Sequence, residues 1–252
     1  MISVLLKILK QKKQEKNMKK SYWNLISDLL KEHPKCISNE KAKEYEKKWL
    51  ITKLSVGGPL QDGYPWVPFN AMEYMDSLLN KESKVFEYGV GGSTIFLSKR
   101  VGELISVEHD SEWFLRTQKV ISDMKDFKWT GYLKEPQATE TPIIGDGADP
   151  SLYTTTDESL SGQSFKDYVT TIDIYEDKYF DLILIDGRSR PSCFVHALPK
   201  IKDGGYIVLD NAEREAYRIV EVVAKSNGME IEEYWGPGPY NDHGWRTIFI
   251  KR

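Results

Sequence analysis

The sequence predicts an α/β fold with a seven-stranded, mostly parallel sheet, an antiparallel last strand and helices on both faces. From residue 84 onward, short apolar runs alternate with helix-length segments, which is the pattern of parallel strands joined by helical crossovers. The run FDLILI at 180–185 is continuously apolar, as expected for a central strand buried on both faces. The last two apolar runs are joined by a loop without a helix, and such a connection favours an antiparallel final pair.

Length and composition fit one large domain with an N-terminal extension. The chain has 252 residues, of which 40% are hydrophobic, enough for a sizeable core. We expect a helical extension at 1–56 and the main domain at 57–252. A net charge of −3 provides no field that would favour nucleic acid. The two cysteines, Cys36 and Cys193, lie too far apart in sequence to indicate a disulfide framework or a zinc cluster, which suits a reducing cytoplasm.

The first 20 residues form a basic and partly apolar start. Ile2, Leu5, Leu6 and Leu9 follow helical spacing, and seven lysines lie between residues 7 and 20. This segment is either a solvated basic helix or a helix lying on a partner or on an anionic membrane surface, such as the inner membrane face. It has no small-residue cleavage site, and no apolar run approaches the roughly 18 residues of a membrane span, so neither a secretory signal nor a membrane-spanning helix is expected.

Breaker and capping signals set the remaining elements in order. Pro34 ends an early helix, and Asn227-Gly228 is a C-cap signal for the last one. Helices are predicted at Tyr22–Leu30, Asn39–Leu54, Phe69–Leu79, Ile95–Val101, Ser111–Met124, Ser164–Tyr175, Ser192–Ile201 and Glu213–Ser226. Strands are predicted at 85–86, 104–107, 128–133, 180–185, 206–209, 229–234 and 246–250, with a turn at 203–205 leading into the strand at 206–209. The glycine- and proline-rich segment 57–68 should be irregular, either a lid over a ligand or a plain connector, and the polar segment 134–163 should be a long excursion.

A glycine turn after the first strand is the centre of the predicted ligand site. The sequence at 87–94 is EYGVGGST, so the backbone at Gly89 and Gly91 can approach a ligand that a Cβ would exclude. Ser93 or Thr94 should cap the following helix, whose free N–H groups face the same spot. An ordinary strand–turn–helix connection without a ligand is the alternative.

Two acids beside this turn indicate the charge of the ligand. Glu87 closes the first strand, where it would repel a pyrophosphate but not a cation such as a sulfonium with an amino-acid tail. Glu108 ends the second strand, 21 residues later, where an acid can accept two ribose hydroxyls. His109 follows directly, where the edge of an adenine should lie.

From about residue 84 onward, the chain resembles class I S-adenosylmethionine-dependent methyltransferases, which have a Rossmann-like fold. The resemblance is carried by VFEYGVGG, SVEHD, FDLILIDGR and IKDGGYIVLDN. The segments EYGVGGST, VEHDSEW and LILIDGRSRPSC further resemble small bacterial methyltransferase-like proteins associated with surface-polysaccharide synthesis. The resemblance implies S-adenosylmethionine as the cofactor of the domain at 57–252. The cofactor-binding residues expected from it are Glu87, Gly89, Gly91, Ser93, Glu108, His109 and Asp186.

A second similarity is to metal-dependent O-methyltransferases of the catechol and caffeoyl-CoA type. These bind a divalent cation at an Asp ending the fourth strand and an Asp-Asn pair ending the fifth, and the matching positions here are Asp186, Asp210 and Asn211. The similarity implies a Mg²⁺ site, which three oxygen ligands plus water would suit. The lysine expected three residues after Asp186 is replaced by Ser189. Alternatively, Asp186 orders the cofactor amine and the Asp-Asn pair caps the next helix.

Together these features predict methyl transfer to a hydroxyl of a sugar, glycan or other small polar acceptor. The loop 235–245 joins the carboxyl end of a parallel strand to the start of an antiparallel one, so it should line the acceptor pocket. His243 in this loop and Asp186 are the candidate catalytic bases. Arg188 and Arg190 are poor bases but could hold an anionic substrate. The alternatives are an aminopropyltransferase-like enzyme, which these arginines argue against, and a non-catalytic S-adenosylmethionine-binding module.

Overall fold

A computed structural model describes residues 2–124, 127–139 and 147–252, with side chains described from residue 13 onward. The strands are β1 Lys84–Tyr88, β2 Glu103–Glu108, β3 Trp129–Leu133, β4 Gln137–Ala138, β5 Gln163–Ser164, β6 Phe180–Ile185, β7 Ile201–Leu209, β8 Glu230–Gly236 and β9 Trp245–Lys251. The helices are α1 Ile2–Glu32, α2 Asn39–Leu54, α3 Gly58–Asp62, α4 Phe69–Leu78, α5 Gly92–Ser98, α6 Ser111–Ser122, α7 Lys166–Val169, α8 Arg190–Ala197 and α9 Arg218–Ser226. Short 3₁₀ turns lie at Glu158–Leu160, Thr170–Ile174 and Glu215–Tyr217.

Seven strands form one sheet in the order β3-β2-β1-β6-β7-β9-β8. Neighbours from β3 to β7 pair in parallel, whereas β9 pairs antiparallel with both β7 and β8. The predicted sheet with its antiparallel last strand is therefore confirmed. The strand order reverses between β1 and β6, and the loops that follow these two strands diverge there to leave a crevice at their carboxyl ends.

Both faces of the sheet are covered by helices. Ile183 and Ile185 of β6 belong to one buried cluster, with side chains from α8 and α9. Leu182 and Leu184, which point the other way, belong to a second cluster with side chains from α1, α2, α4 and α5. The continuous apolar run of β6 is thus explained by burial on both faces.

The N-terminal helices share this second cluster with the sheet. Tyr22 of α1 and Tyr45 and Trp49 of α2 are buried there beside Val85 of β1. The Tyr22 hydroxyl donates a hydrogen bond to Ala42 O at 2.6 Å, which ties α1 to α2. None of the helices in the described ranges is long and apolar enough to cross a membrane. The apolar side chains predicted to touch a membrane, Ile2 to Leu9, lie outside the described side chains.

Three local predictions were wrong. The segment 57–68 contains the short helix α3, which has Pro59 in its first turn. The helix ends at Gly63, which adopts the left-handed conformation at φ 66°. The helix predicted at 164–175 is a single turn, α7, followed by a 3₁₀ turn. The predicted turn at 203–205 lies inside β7, where the pairing with β6 shifts register and Gly204 has φ 80°. A β-bulge of this kind lets the strand continue through Gly204 and Gly205, although the pair of glycines indicates a turn in the sequence.

Candidate functional site

A cavity of about 700 Å³ lies at the carboxyl ends of the parallel strands. Its wall is formed by the loops after β1, β2, β6 and β7, at 89–93, 108–110, 186–190 and 210–214. The opposite side is closed by Pro59 and Trp66 from the segment before α4 and by the loop between β8 and β9. The segment 57–68 therefore contributes to the wall of this cavity, and its role as a lid over a ligand stays a prediction.

The glycine turn after β1 allows two loops to meet at the floor of the cavity. Gly89 has φ 95°, and a Cβ there would lie 3.1 Å from the Gly187 Cα. A Cβ on Gly92 would lie 2.0 Å from the carbonyl oxygen of Tyr64. Because of this close approach, residue 92 must be glycine for α5 to begin beneath the segment 57–68. Gly89, Gly91 and Ser93 line the cavity, which is where the sequence placed them.

Glu87 lies behind the glycine turn and not on the cavity wall. Its carboxylate is fully buried and accepts hydrogen bonds from the hydroxyls of Ser93 at 2.5 Å, Thr94 at 2.8 Å and Ser106 at 2.7 Å. Burial raises the pKa of Glu87 to about 7, although the three hydroxyls oppose the shift. The predicted contact with the methionine end of the cofactor is therefore revised, because this carboxylate organises the turn that the ligand would touch.

Glu108 reaches the cavity as an anion. Its Oε2 accepts a hydrogen bond from the backbone N–H of Val90 at 2.8 Å, and its Oε1 accepts from those of His109 and Asp110 at 2.7 and 2.9 Å. His109 Nδ1 lies 2.6 Å from the same Oε1. Burial alone would raise the pKa of Glu108, but His109 and the backbone donors outweigh it and lower the pKa. A fixed carboxylate of this kind is suited to accept two vicinal hydroxyls.

Asp186, at the end of β6, is bound to a buried arginine. Arg190 donates to Asp186 O at 3.0 Å and to Asp186 Oδ1 at 3.1 Å. It also donates to Gly187 O at 3.0 Å and Asp210 O at 2.5 Å, so it joins the ends of β6 and β7. Burial raises the pKa of Asp186, while the nearby arginines oppose the shift. Asp186 itself lines the cavity.

Asp210, at the end of β7, is held from β9. Its Oδ1 accepts hydrogen bonds from Trp245 Nε1 at 3.0 Å and Thr247 Oγ1 at 2.5 Å. Its Oδ2 has no hydrogen-bond partner among the described residues, and Asp210 lines the cavity. Burial first, and then the charge of Asp186, raises the pKa of Asp210 to about 8.

The residues predicted to bind Mg²⁺ come together but do not fit a divalent ion. Arg190 donates to Asp186 Oδ1, so its guanidinium already places a positive charge between the ends of β6 and β7, and Asp210 Oδ1 is engaged by Trp245 and Thr247. A divalent cation at this point would be repelled by the guanidinium. The described residues also contain no group of three or more His, Cys, Asp or Glu side chains that could hold a metal. The cationic role expected of the metal is filled here by a guanidinium.

The loop between β8 and β9 forms the far wall of the cavity and is braced by α2. Asn241 and His243 line the cavity, as does Trp245 at the start of β9. Trp49 Nε1 donates to Asn241 O at 2.7 Å, and Lys53 Nζ donates to the carbonyl of the preceding Tyr240 at 3.0 Å. The N-terminal extension therefore positions one wall of the site.

Some wall residues were missed by the sequence analysis. Trp113 donates to Val90 O and lines the cavity beside Gly91. Trp66 and Arg214 also line it. The reasoning that picked out Arg188 from the sequence would also have found Arg214, because both arginines lie in loops that follow the carboxyl end of a parallel strand.

Comparison with known proteins addresses the fold. An O-methyltransferase from Bacillus cereus, solved in complex with S-adenosylhomocysteine, matches with a TM-score of 0.53 and 14% identity, over 86% of this chain and 92% of that one. The chain has the class I methyltransferase fold. The same methyltransferase fold relates it to an rRNA methylase from Streptococcus thermophilus, with a TM-score of 0.50 and 13% identity over 72% of this chain and 94% of that one.

A third structure with the methyltransferase fold is the O-methyltransferase TomG from Streptomyces achromogenes, involved in tomaymycin synthesis and solved with S-adenosylmethionine. It matches with a TM-score of 0.50 and 13% identity over 71% of this chain and 77% of that one. No protein-family model matches the chain, and no curated protein matches it in sequence. At such identities the likeness concerns the fold, and the activity has to be argued from the site.

Proposed function

We propose that the protein transfers the methyl group of S-adenosylmethionine to a hydroxyl of a sugar, glycan or other small polar acceptor. One observation carries the proposal: a single cavity has the anionic Glu108 on one side and Asp186, Asp210 and His243 on the other. The first side fits a nucleoside and the second fits an acceptor whose proton must be removed. Two of the three similar structures are O-methyltransferases solved with this cofactor or its demethylated product, which supports the proposal.

The chain's own residues would hold the cofactor at three points. Glu108 would accept the ribose hydroxyls, and the turn at Gly89 and Gly91 would let the methionine tail approach the backbone. Asp186 would accept hydrogen bonds from the tail's ammonium group. The sulfonium supplies a methyl group that is already electrophilic, so the protein's task is to align the acceptor and to take its proton.

Three side chains on the acceptor side are candidates to take that proton. Asp186 is engaged by Arg190, and His243 lies on the braced loop between β8 and β9. Asp210 has one oxygen fixed from β9 and the other without a partner among the described residues. A base works best when its pKa lies near the working pH. We therefore favour Asp210, with its pKa of about 8, and keep His243 and Asp186 as alternatives.

The test separates binding from turnover. Calorimetry with S-adenosylmethionine should give a saturable signal, and release of S-adenosylhomocysteine should then depend on an added sugar or glycan hydroxyl. Binding without turnover on any acceptor would favour the non-catalytic module. Transfer of an aminopropyl group to an amine would favour the synthase alternative, although the cavity carries three arginines where a polyamine would need acids.

The biological setting is proposed from the resemblance in sequence alone. Surface-polysaccharide synthesis would supply a glycan acceptor, and the basic helix α1 would lie against an anionic membrane surface. Sedimentation with anionic vesicles, compared between the full chain and a variant with the lysines at 7–20 changed to glutamine, measures that contact. Equal sedimentation of the two would rule the contact out.

A further inference from the structure

The acceptor side of the cavity contains three arginines, and they differ in how fully they are paired. Arg190 is buried, and all of its hydrogen bonds go to the ends of β6 and β7. Arg188 forms an ion pair with Asp157 at 3.0 Å. The Arg214 side chain forms no hydrogen bond or ion pair with any residue in the described ranges, and its guanidinium lies only near the ring of Tyr217, at 5.9 Å. Arg214 is thus a free cation on the wall of the cavity.

The turn that follows β7 places Arg214 at the rim of the cavity. Its backbone N–H donates to Asn211 O at 3.1 Å, which closes the turn, and the residue is exposed to solvent. The guanidinium groups of Arg214 and Arg190 lie 5.9 and 5.4 Å from the same ring, that of Tyr217. Arg214 is also close enough to Asp186 for its charge to oppose the rise that burial causes in the pKa of that carboxyl.

The acids near Arg214 on this wall are engaged by other groups. Asp186 pairs with Arg190, and Asp210 Oδ1 accepts hydrogen bonds from Trp245 and Thr247. The Glu213 carboxylate accepts a hydrogen bond from the backbone N–H of Arg246 at 3.1 Å. Among the described residues, Arg214 is therefore the arginine of this wall whose guanidinium remains available to an oxyanion.

We propose that Arg214 binds an oxyanion carried by the methyl acceptor, with Arg188 as its second cation. This inference rests on the proposed methyltransferase function and specifies its substrate class, an acceptor with a hydroxyl and a phosphate, sulfate or carboxylate group. A guanidinium fits the planar, two-oxygen face of such groups, and Arg188, which pairs with the half-buried Asp157, lines the same cavity. Free inorganic anions share this chemistry, so the test has to distinguish them from an anion that is part of the acceptor.

The experiment compares glucose 1-phosphate, glucose and inorganic phosphate as probes, in the presence of S-adenosylhomocysteine. Calorimetry measures their binding to the wild type and to Arg214→Gln, Arg214→Lys and the control Arg218→Gln. Arg218 is an exposed arginine paired with Glu215, outside the cavity. We expect glucose 1-phosphate to bind the wild type more tightly than either other probe. We expect its affinity to fall about ten- to a hundredfold in Arg214→Gln, less in Arg214→Lys, and not at all in Arg218→Gln.

The outcomes distinguish a failure of the oxyanion site from a failure of the proposed methyltransferase function. Equal affinity of glucose and glucose 1-phosphate for the wild type, or an unchanged affinity in Arg214→Gln, would overturn the oxyanion site. Equal binding of inorganic phosphate and glucose 1-phosphate would also overturn it, because the site would then read only a free anion. Failure of S-adenosylhomocysteine to bind the wild type would instead remove the methyltransferase function. Affinity for S-adenosylhomocysteine should be the same in all four proteins.

Discussion

At the residue scale, Glu87 and Glu108 show how position within a strand decides what a carboxylate does. Glu87 faces the interior, where three hydroxyls hold it away from water, and its pKa rises to about 7. Glu108 ends its strand, where backbone N–H groups point at it, and its pKa falls. The first stabilises the turn, and the second is available to a ligand.

Glu87 should make stability depend on pH. A folded-state pKa raised above the unfolded value means that the folded protein binds the proton more tightly, so stability is lost as pH rises from about 4.5 through about 7. Relative to Glu87→Gln, the wild type should lose on the order of 2–3 kcal/mol of unfolding free energy between about pH 5 and pH 8. Denaturant titration across this range measures the difference. The exposed control Glu112→Gln should show none, and a constant gap between wild type and Glu87→Gln would contradict the assignment.

Glu108→Ala should weaken S-adenosylmethionine binding about ten- to a hundredfold, since hydrogen bonds to a charged group contribute roughly 1.5–3 kcal/mol. Calorimetry on folded protein measures the affinity. Glu112→Ala, on the exposed face of α6, serves as the matched control and should bind as the wild type does. An unchanged affinity in Glu108→Ala would remove the ribose contact from the proposal.

Asp210 should set the pH dependence of turnover. A base acts when deprotonated, so the rate at saturating substrates should rise with pH and level off above about 8. In Asp210→Asn the amide oxygen can still accept the hydrogen bonds from Trp245 and Thr247, but the side chain cannot take a proton. This variant should therefore lower kcat about 100-fold or more. His243→Ala is the comparison. If kcat still rises with pH in Asp210→Asn but no longer does so in His243→Ala, the base is the histidine.

At the scale of elements, Arg190 joins the ends of β6 and β7 through hydrogen bonds to Asp186, Gly187 and Asp210. Wild-type turnover should therefore survive exhaustive chelation unchanged. S-adenosylhomocysteine release, with and without chelator and with Mg²⁺ or Mn²⁺ added back, tests this directly. Loss of activity on chelation and its recovery with Mg²⁺ would restore Asp186, Asp210 and Asn211 as ligands, with Arg190 displaced.

The brace from α2 to the loop between β8 and β9 should control the acceptor and not the cofactor. Trp49→Phe keeps an aromatic side chain at this position but removes the hydrogen bond to Asn241 O that ties the loop to α2. We expect a higher KM for the acceptor with unchanged S-adenosylmethionine affinity. Tyr22→Phe removes a more buried hydrogen bond, between α1 and α2 and away from the loop, and should leave both constants unchanged. Equal effects of the two variants on KM would show that only stability was affected.

Elements with strong local signals were predictable from the sequence, whereas side-chain directions were not. The apolar run 180–185 forms β6 with the predicted bounds, because a strand buried on both faces is apolar at nearly every residue. Helix α2 also matches, since Ser38 caps it and Leu54 ends its pattern. The orientation of Glu87 depended on Ser106 from a neighbouring strand, which no local pattern contains. The pairing of Asp186 with Arg190 likewise required the turn before α8.

At the scale of the whole molecule, the sheet separates two functional halves along one edge. The loops after β1 and β2 form the nucleoside side of the cavity, and the loops after β6 and β7 form the acceptor side together with residues before β9. The net charge of −3 describes neither half, because the acceptor side contains three arginines while the ribose side presents the Glu108 carboxylate. Local charge, and not the sum, therefore governs recognition.

The contact between Trp49 and Asn241 also has a consequence for biosynthesis. The two residues are 192 positions apart, so the acceptor wall closes only after residue 241 has been synthesised. The glycine turn and Glu108 come earlier in the chain and can reach their partners in β1 and β2 sooner. Contacts this distant in sequence form late, since the intervening chain must first be ordered. A ribosome-bound chain would thus possess its nucleoside side before it could select an acceptor.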